Sequence, residues 1–291
     1  MKLLILGREK PTETMVSFMD TFKSYFEKVY YTSWKNINID LDERGSSLFS
    51  KNKELLSFDV LFALPKKKTI DFTTSLTSIF EMNRKYVCFP SDTITLCKDL
   101  FLLLFTLKTA GIPILKTYYA TNAEILKSRL DEGEMKLPVV VRPKIGSEIV
   151  INNKESISTI IDTLEKLDQP LIMQELVDKK KVKILSIGTS FFAEDDGKKY
   201  ELLNEQKNII YKIKQLLGVE ILEIEAFIDG NSLVVYNISQ VPHFNAFFSY
   251  YGEDTITEKV CKHIKSSADI FYEKNPLVKM MSIIKKNKDG N

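Results

Sequence analysis

The chain has 291 residues, of which 44% are hydrophobic and 27% charged, a composition typical of a globular protein and not of a disordered one. Its 41 basic and 39 acidic side chains leave a formal net charge of +2, which argues against a broad nucleic-acid-binding surface. Three cysteines without CxxC spacing and only two histidines exclude a disulfide framework, a Cys-based zinc site and a His-rich metal site.

The first 90 residues alternate strand and helix patterns. Apolar runs predict strands at 3–6, 28–31, 58–64 and 86–89. Helically spaced apolar residues predict helices over 12–26 and 70–83. This alternation indicates a small parallel sheet covered by helices, and no glycine-rich dinucleotide fingerprint follows its first strand.

The N-terminal apolar stretch is short and is followed at once by Arg8, Glu9 and Lys10, without a small-residue cleavage site. It therefore resembles a first strand more than a signal peptide. No apolar run approaches the ~18 residues that a membrane span needs. We expect an intracellular, cytoplasmic protein with no membrane and no nucleic-acid partner.

Residues 91–113 are predicted to form one helix, with Ser91 and Asp92 as N-cap candidates and Gly111 and Pro113 closing it. The body of this helix, 96–107, is so apolar that we expect it to be buried between domains.

From residue 114 onwards the patterns become those of antiparallel sheets with helices. Strands are predicted at 114–120, 137–142, 148–151 and 171–177, and helices at 122–132, 154–167, 203–217 and 254–273. Two hairpins are predicted, one of 182–187 with 189–193 and one of 222–228 with 233–238. Residues 194–200 are expected to be a polar loop, and the last seven residues a solvated tail.

The second hairpin carries the residues that best suit a metal. Glu225 and Asn237 lie on its two arms, and Ser239 follows on the same arm as Asn237. Oxygen ligands on rigid strands suit Mg²⁺, which usually takes one or two protein carboxylates and shares phosphate oxygens. The alternative for Glu225 is a solvent-facing strand residue without a ligand.

Upstream residues are candidates for contacts to a nucleotide. The segment from Gln174 through Glu175 to Val177 has backbone groups suited to a base edge, while Arg142 and Lys183 are suited to neutralising phosphates. Arg142 ends a buried β-branched strand, where its charge needs a partner. The aromatic cluster at 244–251 is either core, an oligomer contact, or a platform for a substrate ring, and we favour one of the first two.

The order of several short motifs resembles the ATP-grasp family, and most closely the RimK-type carboxylate–amine ligases. In chain order the motifs are Phe80-Glu81-Met82, Lys98-Asp99-Leu100, Lys108-Thr109-Ala110-Gly111-Ile112-Pro113, Pro138-Val139-Val140-Val141-Arg142, Ile172-Met173-Gln174-Glu175-Leu176-Val177, Glu225-Ala226-Phe227-Ile228 and Asn237-Ile238-Ser239-Gln240-Val241-Pro242. The resemblance implies an α/β chain with a small parallel-sheet, Rossmann-like pre-ATP-grasp domain (1–90). A two-lobed α+β ATP-grasp domain would follow, with an entry helix and small lobe (91–177) and a C-terminal lobe (178–291).

The same resemblance implies ATP and Mg²⁺ as cofactors, transfer of the γ-phosphate to a substrate carboxylate, and attack by an amine on the resulting acyl phosphate. Arg142 stands where the family has a phosphate-contacting lysine, and Glu175 and Val177 flank the adenine hinge. Lys183 stands where the RimK type has a substrate-facing arginine, and Glu225 stands at the first metal carboxylate.

Several positions depart from the family pattern. Asn237 replaces the second metal carboxylate, Ser239 replaces the metal asparagine, and His243 stands where glycine is common. Lys98 lies near a family phosphate-contacting lysine whose own position is taken by Leu100. The phosphate-covering loop is reduced to 145–148, without the run of glycines that would cradle phosphate.

Three functions therefore remain open. The first is a ligase that joins a small-molecule or protein carboxylate to an amine, for example that of an amino acid. The second is a catalytically lapsed binding or assembly module. The third is a small-molecule kinase such as an inositol phosphate kinase, for which five arginines are few. A homo-oligomer is possible in each case.

Overall fold

The structure, a computed structural model, describes residues 1–43, 45–65, 68–143, 148–153, 155–165 and 170–275. Its strands are β1 (Lys2–Gly7), β2 (Lys28–Ser33), β3 (Ile37–Asp42), β4 (Gly45–Ser50), β5 (Lys53–Glu54), β6 (Val60–Ala63), β7 (Tyr86–Val87), β8 (Thr117–Ala120), β9 (Val139–Pro143), β10 (Ile149–Ile151), β11 (Leu171–Glu175), β12 (Lys181–Ile187), β13 (Ser190–Asp195), β14 (Lys198–Tyr200), β15 (Ile221–Asp229) and β16 (Ser232–Ser239). Its helices are α1 (Glu13–Phe22), α2 (Ile70–Met82), α3 (Ser91–Lys98), α4 (Leu100–Thr109), α5 (Ala123–Asp131), α6 (Glu155–Glu165), α7 (Asn204–Leu217), α8 (Asn245–Tyr251) and α9 (Glu253–Lys274).

The N-terminal part contains the predicted parallel sheet, with strand order β2-β1-β6-β7. Successive side chains of β1 alternate between two apolar clusters: Leu3 and Ile5 join one, and Leu4 and Leu6 join the other. All four are fully buried because both faces of a parallel sheet are covered. A small antiparallel sheet, β3-β4-β5, was not predicted from the sequence.

The prediction of one helix over 91–113 is wrong, because the chain forms α3 and α4 with a break at Asp99. The Asp99 carboxylate accepts a hydrogen bond from the backbone N–H of Leu102 at 3.0 Å, and so caps α4. The burial expected for this apolar stretch is also only partly observed. Leu103, Leu104 and Leu107 are buried, whereas Leu102 is 46% exposed and Phe105 59% exposed.

Two antiparallel sheets form the remainder of the described chain, with strand orders β10-β9-β11-β8 and β14-β13-β12-β15-β16. One face of the first sheet packs on α5 and α6 in a separate apolar cluster. The predicted hairpins β12–β13 and β15–β16 are confirmed. The polar loop expected at 194–200 is wrong in part, since Lys198–Tyr200 pairs with β13 as β14.

Helix α9 packs between the five-stranded antiparallel sheet and the N-terminal part of the chain, where it contacts β12 and α1. Its buried side chains, such as Ile256, Val260 and Ile264, recur at helical spacing and each contributes about 1.5–3 kcal/mol of burial free energy. Near its end, the Tyr272 hydroxyl donates to the carbonyl of Asp59 at 2.6 Å. Most of the aromatic cluster at 244–251 is core, as favoured, with Phe247 completely buried in α8.

None of the helices in the described ranges has both the length and the apolar character that crossing a membrane requires. The shortened loop at 145–147 and the tail beyond residue 275 lie outside the described residues, so the predictions made for them stay predictions.

Candidate functional site

The two antiparallel sheets face each other across a cleft of about 300 Å³. Arg142, Gln174 and Glu175 line it from the sheet of β9 and β11, and Lys181 and Glu225 line it from the sheet of β12 and β15. Four of the predicted site residues therefore meet at this cleft, although they are spread over more than 80 positions of the sequence. The strand registers produce this convergence, because side chains at alternate positions share one face of a sheet.

Arg142 lies at the end of β9 with its side chain only 16% exposed. Its Nε donates to the carboxylate of Glu148 at 2.7 Å, which supplies the partner that a buried charge requires. Its guanidinium also lies 6.0 Å from the ring centroid of Tyr236 on the opposite sheet. Nη1 is buried and has no hydrogen-bond partner within the described part of the chain, so a donor remains available to a ligand.

Gln174 presents a complementary acceptor to the same cleft. Its Nε2 donates to the hydroxyl of Thr117 at 3.0 Å, whereas its Oε1 is buried and unpartnered among the described residues. Glu175 follows at the end of β11, where its carboxylate lies 3.7 Å from the ammonium group of Lys116. An unpartnered donor and an unpartnered acceptor in one cleft are groups that a polar ligand would satisfy.

A larger groove of about 720 Å³ adjoins this cleft and shares Leu176, Lys181 and Tyr236 with it. Val177 and Lys183 line the groove and not the smaller cleft. The four lysines that line it are largely compensated by carboxylates, for instance in the ion pair of Lys180 with Asp195 at 2.6 Å. The groove thus extends the site along the segment that follows β11.

The hairpin β15–β16 brings two predicted metal ligands into direct contact. Glu225 and Asn237 are paired in register, and Nδ2 of Asn237 donates to the Glu225 carboxylate at 2.9 Å. On the other side of β15, Lys183 is paired in register with Glu225. The ammonium group of Lys183 forms its ion pair with the Glu194 carboxylate, at 3.9 Å.

Ser239 lies two residue pairs further along the hairpin. Its hydroxyl donates to the carbonyl of Val241 at 2.8 Å, and its cross-strand partner is Glu223. Glu223 is 4% exposed and accepts hydrogen bonds from the backbone N–H of His243 at 2.6 Å and from its Nδ1 at 3.2 Å. Hydrogen bonding to this carboxylate raises the pKa of His243 above its usual value.

Lys98 is not part of this arrangement. It forms an ion pair with Asp71 of α2 on the outside of the molecule and does not belong to the described lining of either cleft. Its predicted contact with phosphate therefore receives no support from its position.

Two residues of the site were not predicted from the sequence. Tyr236 is the extra residue of a β-bulge between the Glu225 and Ala226 pairings, and it borders both clefts. Burial and the nearby Glu225 carboxylate raise the pKa of its hydroxyl. Glu223 precedes Glu225 by two residues on the same strand face, and this spacing was the signal that could have identified it.

The donor chemistry around Glu225 fits a single magnesium ion that arrives with phosphate. Within the described ranges, no three His, Cys, Asp or Glu residues are close enough to hold a metal ion together. Glu225 supplies one carboxylate and Asn237 one amide oxygen. Because Mg²⁺ commonly keeps water and phosphate ligands beside one or two carboxylates, this set suffices for one shared ion.

No protein-family model matches the chain, and no curated protein matches it in sequence. Solved structures do match over most of its length. A RimK-domain ATP-grasp protein from Sphaerobacter thermophilus has a TM-score of 0.73 at 13% identity, covering 91% of this chain and 99% of the other.

Two further similar structures contain bound peptides. The ATP-grasp ligase PsnB, complexed with a minimal precursor, Mg and ADP, has a TM-score of 0.71 at 14% identity and covers 92% of this chain and 98% of its own. The macrocyclase MdnC from Microcystis aeruginosa, bound to its precursor peptide, has a TM-score of 0.69 at 16% identity and covers 90% and 98%. This chain therefore has the ATP-grasp fold.

Proposed function

We propose that the protein is an ATP-dependent carboxylate–amine ligase of the RimK type. The observation that carries this proposal is the cleft lined from one sheet by Arg142 and Gln174 and from the other by Glu225. When bound, ATP would supply a γ-phosphoryl group to a substrate carboxylate, and an amine would then displace the phosphate as it forms the C–N bond and loses a proton.

Each predicted site residue except Lys98 has a role in this proposal. The segment from Gln174 to Val177 contacts the adenine, and Arg142 contacts phosphate through its available Nη1. Glu225 and Asn237, with Ser239 beside them, hold the magnesium ion. Lys183 faces the reacting groups. Catalysis then rests on positioning and on neutralising charge.

The substrate is a carboxylate on a peptide or a small molecule. PsnB and MdnC, whose fold this chain shares, were each solved with a precursor peptide, which favours a peptide as the first candidate to test. The amine is the second partner, and amino acids are the simplest members of that class.

Calorimetry and a trapping assay test the proposal together. Titration of the protein with Mg-ATP is expected to show binding, and incubation with a panel of carboxylates and hydroxylamine is expected to give a hydroxamate and ADP. Glu225→Gln keeps the shape of the side chain and removes its charge, so it should abolish turnover. Absence of Mg-ATP binding, or equal turnover by the wild type and Glu225→Gln, would refute the proposal.

A second candidate is a catalytically lapsed binding or assembly module that binds nucleotide weakly or not at all. The hydrogen bond from Asn237 to Glu225 favours it, because an amide occupies the position of a second carboxylate and satisfies the first. In this case Mg-ATP would bind weakly or not at all, and no carboxylate in the panel would release ADP. The calorimetric and trapping measurements therefore separate the two candidates.

A further inference from the structure

A third cleft, of about 400 Å³, lies where the parallel sheet meets the segment after β16. Gly7 and Arg8, which end and follow β1, line one wall together with Leu64 and Pro65, which follow β6. The chain leaves β1 to form β2 on one side and later returns to form β6 on the other. Ligands of open parallel sheets bind outside the carboxyl ends of the strands at such a reversal of strand order.

The loop at this end of β1 is held in place by Tyr31. The Tyr31 hydroxyl donates to the backbone carbonyl of Arg8. Gly7 permits this close approach, because a Cβ there would lie 2.7 Å from the same hydroxyl oxygen. Arg8 is consequently fixed at the mouth of the cleft by its backbone, while its side chain is exposed and forms no ion pair with a described carboxylate.

The opposite wall comes from the segment that carries the candidate metal site. Ser239 and His243 both line the cleft. Glu223 engages the backbone N–H and Nδ1 of His243 and leaves Nε2 available. The described lining contains the charged Arg8 and the imidazole of His243, and no carboxylate belongs to it. The chemistry of the cleft therefore suits an anionic ligand.

The cleft lies close to the candidate reaction site without coinciding with it. Ser239 follows Asn237 by two residues on β16, a separation of about 7 Å along a strand. Glu225 and Lys183 do not line this cleft, and Arg8 and His243 do not line the clefts that contain Glu225 and Lys183. A second anionic group on the same substrate molecule would bridge this distance.

We propose that the substrate carries two acidic groups, one that reacts beside Glu225 and a second that binds in this cleft between Arg8 and His243. The role of the first, reacting group rests on the proposed function. Recognition of the second group depends only on its charge and on pairing with the guanidinium of Arg8. A guanidinium pairs with a carboxylate through two parallel hydrogen bonds, and Nε2 of His243 donates a third when the imidazole is protonated. Small dicarboxylates and acidic peptides share this chemistry.

Binding to the nucleotide-free protein tests the inference. Glutarate and a Glu-Glu dipeptide with blocked ends are titrated calorimetrically, with butyrate as the monoacid of similar size. We expect one of the two diacids to bind at least tenfold more tightly than butyrate. Arg8→Gln should reduce that affinity at least tenfold, and Arg8→Lys should reduce it less, because lysine keeps the charge and loses the fork.

Lys10→Gln is the matched control, since Lys10 is exposed on the same loop and does not line the cleft. It should bind the diacid as the wild type does. Equal diacid affinity for Arg8→Gln and Lys10→Gln would overturn the inference, as would equal affinity for diacids and butyrate in the wild type. A separate titration with Mg-ATP distinguishes the two proposals. If Mg-ATP does not bind, the ligase proposal is refuted, while the diacid titration still tests binding in this cleft.

Discussion

Replacing Asn237 by aspartate introduces the carboxylate that the resemblance implies. It tests how the charges around Glu225 are balanced when no metal ion is bound. The two side chains have nearly the same shape, so packing changes little. The donor Nδ2, which lies 2.9 Å from the Glu225 carboxylate, becomes a second carboxylate oxygen. Both side chains are half-buried, and the nearest cation across the sheet, Lys183, already shares its charge with Glu194.

The expected cost follows from the lost hydrogen bond and the new repulsion. A hydrogen bond to a charged group contributes about 1.5–3 kcal/mol net. Two like charges ~4 Å apart repel by about 4 kcal/mol at an effective dielectric constant of 20, which partial solvent exposure reduces. We expect Asn237→Asp to lower the free energy of unfolding by about 2–3 kcal/mol in EDTA at pH 8. The apparent melting temperature should fall by roughly 5 °C.

Denaturation with and without Mg²⁺ measures this effect. Mg²⁺ should raise the stability of Asn237→Asp more than that of the wild type, since two carboxylates attract a dication better than one. Asn231→Asp is the control, because Asn231 is exposed in the turn of the same hairpin and should change stability little. Adding Glu225→Gln to Asn237→Asp should recover most of the loss. Equal stability of the wild type and Asn237→Asp in EDTA would refute the reasoning.

Three further predictions concern other parts of the molecule. Arg142→Gln should weaken Mg-ATP binding at least tenfold in calorimetry, while Arg129→Gln, which removes an exposed ion pair on α5, should leave it unchanged. Gly188→Ala should lower the free energy of unfolding by about 1–3 kcal/mol. At Gly188, φ is +55° and a Cβ would lie 2.7 Å from Nδ1 of His263, whereas Gly230→Ala, at φ +57° in open space, should cost less in chemical denaturation. Burial lowers the pKa of His263, so the unfolded chain binds the extra proton and stability should fall as pH drops below about 6.5. His263→Gln should reduce the dependence of the free energy of unfolding on pH, measured by chemical denaturation at several pH values. An unchanged pH dependence would show that His263 is not its source.

The parallel sheet and the two main hairpins were predicted correctly because their signals are local. Strand β1 is an unbroken apolar run, and a turn residue with positive φ separates β15 from β16 at Gly230. The small sheet of β3, β4 and β5 was missed although its first strand carries a strand signal. In β3, Ile37, Ile39 and Leu41 alternate with polar residues, which is the pattern of a half-buried strand, whereas β4 and β5 are mostly polar.

The candidate site was predictable in part. Arg142 was indicated by its place at the end of a buried strand, and Glu225 and Asn237 by their places on the two arms of one hairpin. The structure brings Glu225 and Asn237 into contact. Tyr236 was missed because a β-bulge places it between the sheets, and the position of a bulge is set by the pairing of the two hairpin arms, not by a local residue pattern. The engagement of Glu223 by His243 likewise depends on a 20-residue separation closed by the hairpin.

The strand register gives Asn237 a structural role at the position where the resemblance implies a second metal carboxylate. Viewed across the sheet, one row of paired residues runs from Glu194 through Lys183 and Glu225 to Asn237. Lysine separates the two acids, and the amide satisfies the second of them, so the row is stable without a metal ion. Asn237 therefore avoids the repulsion that a second carboxylate at this position would introduce when no cation is bound. We expect a site built in this way to bind magnesium only when phosphate supplies the remaining charge, and its occupancy to depend on nucleotide more steeply than that of a two-carboxylate site.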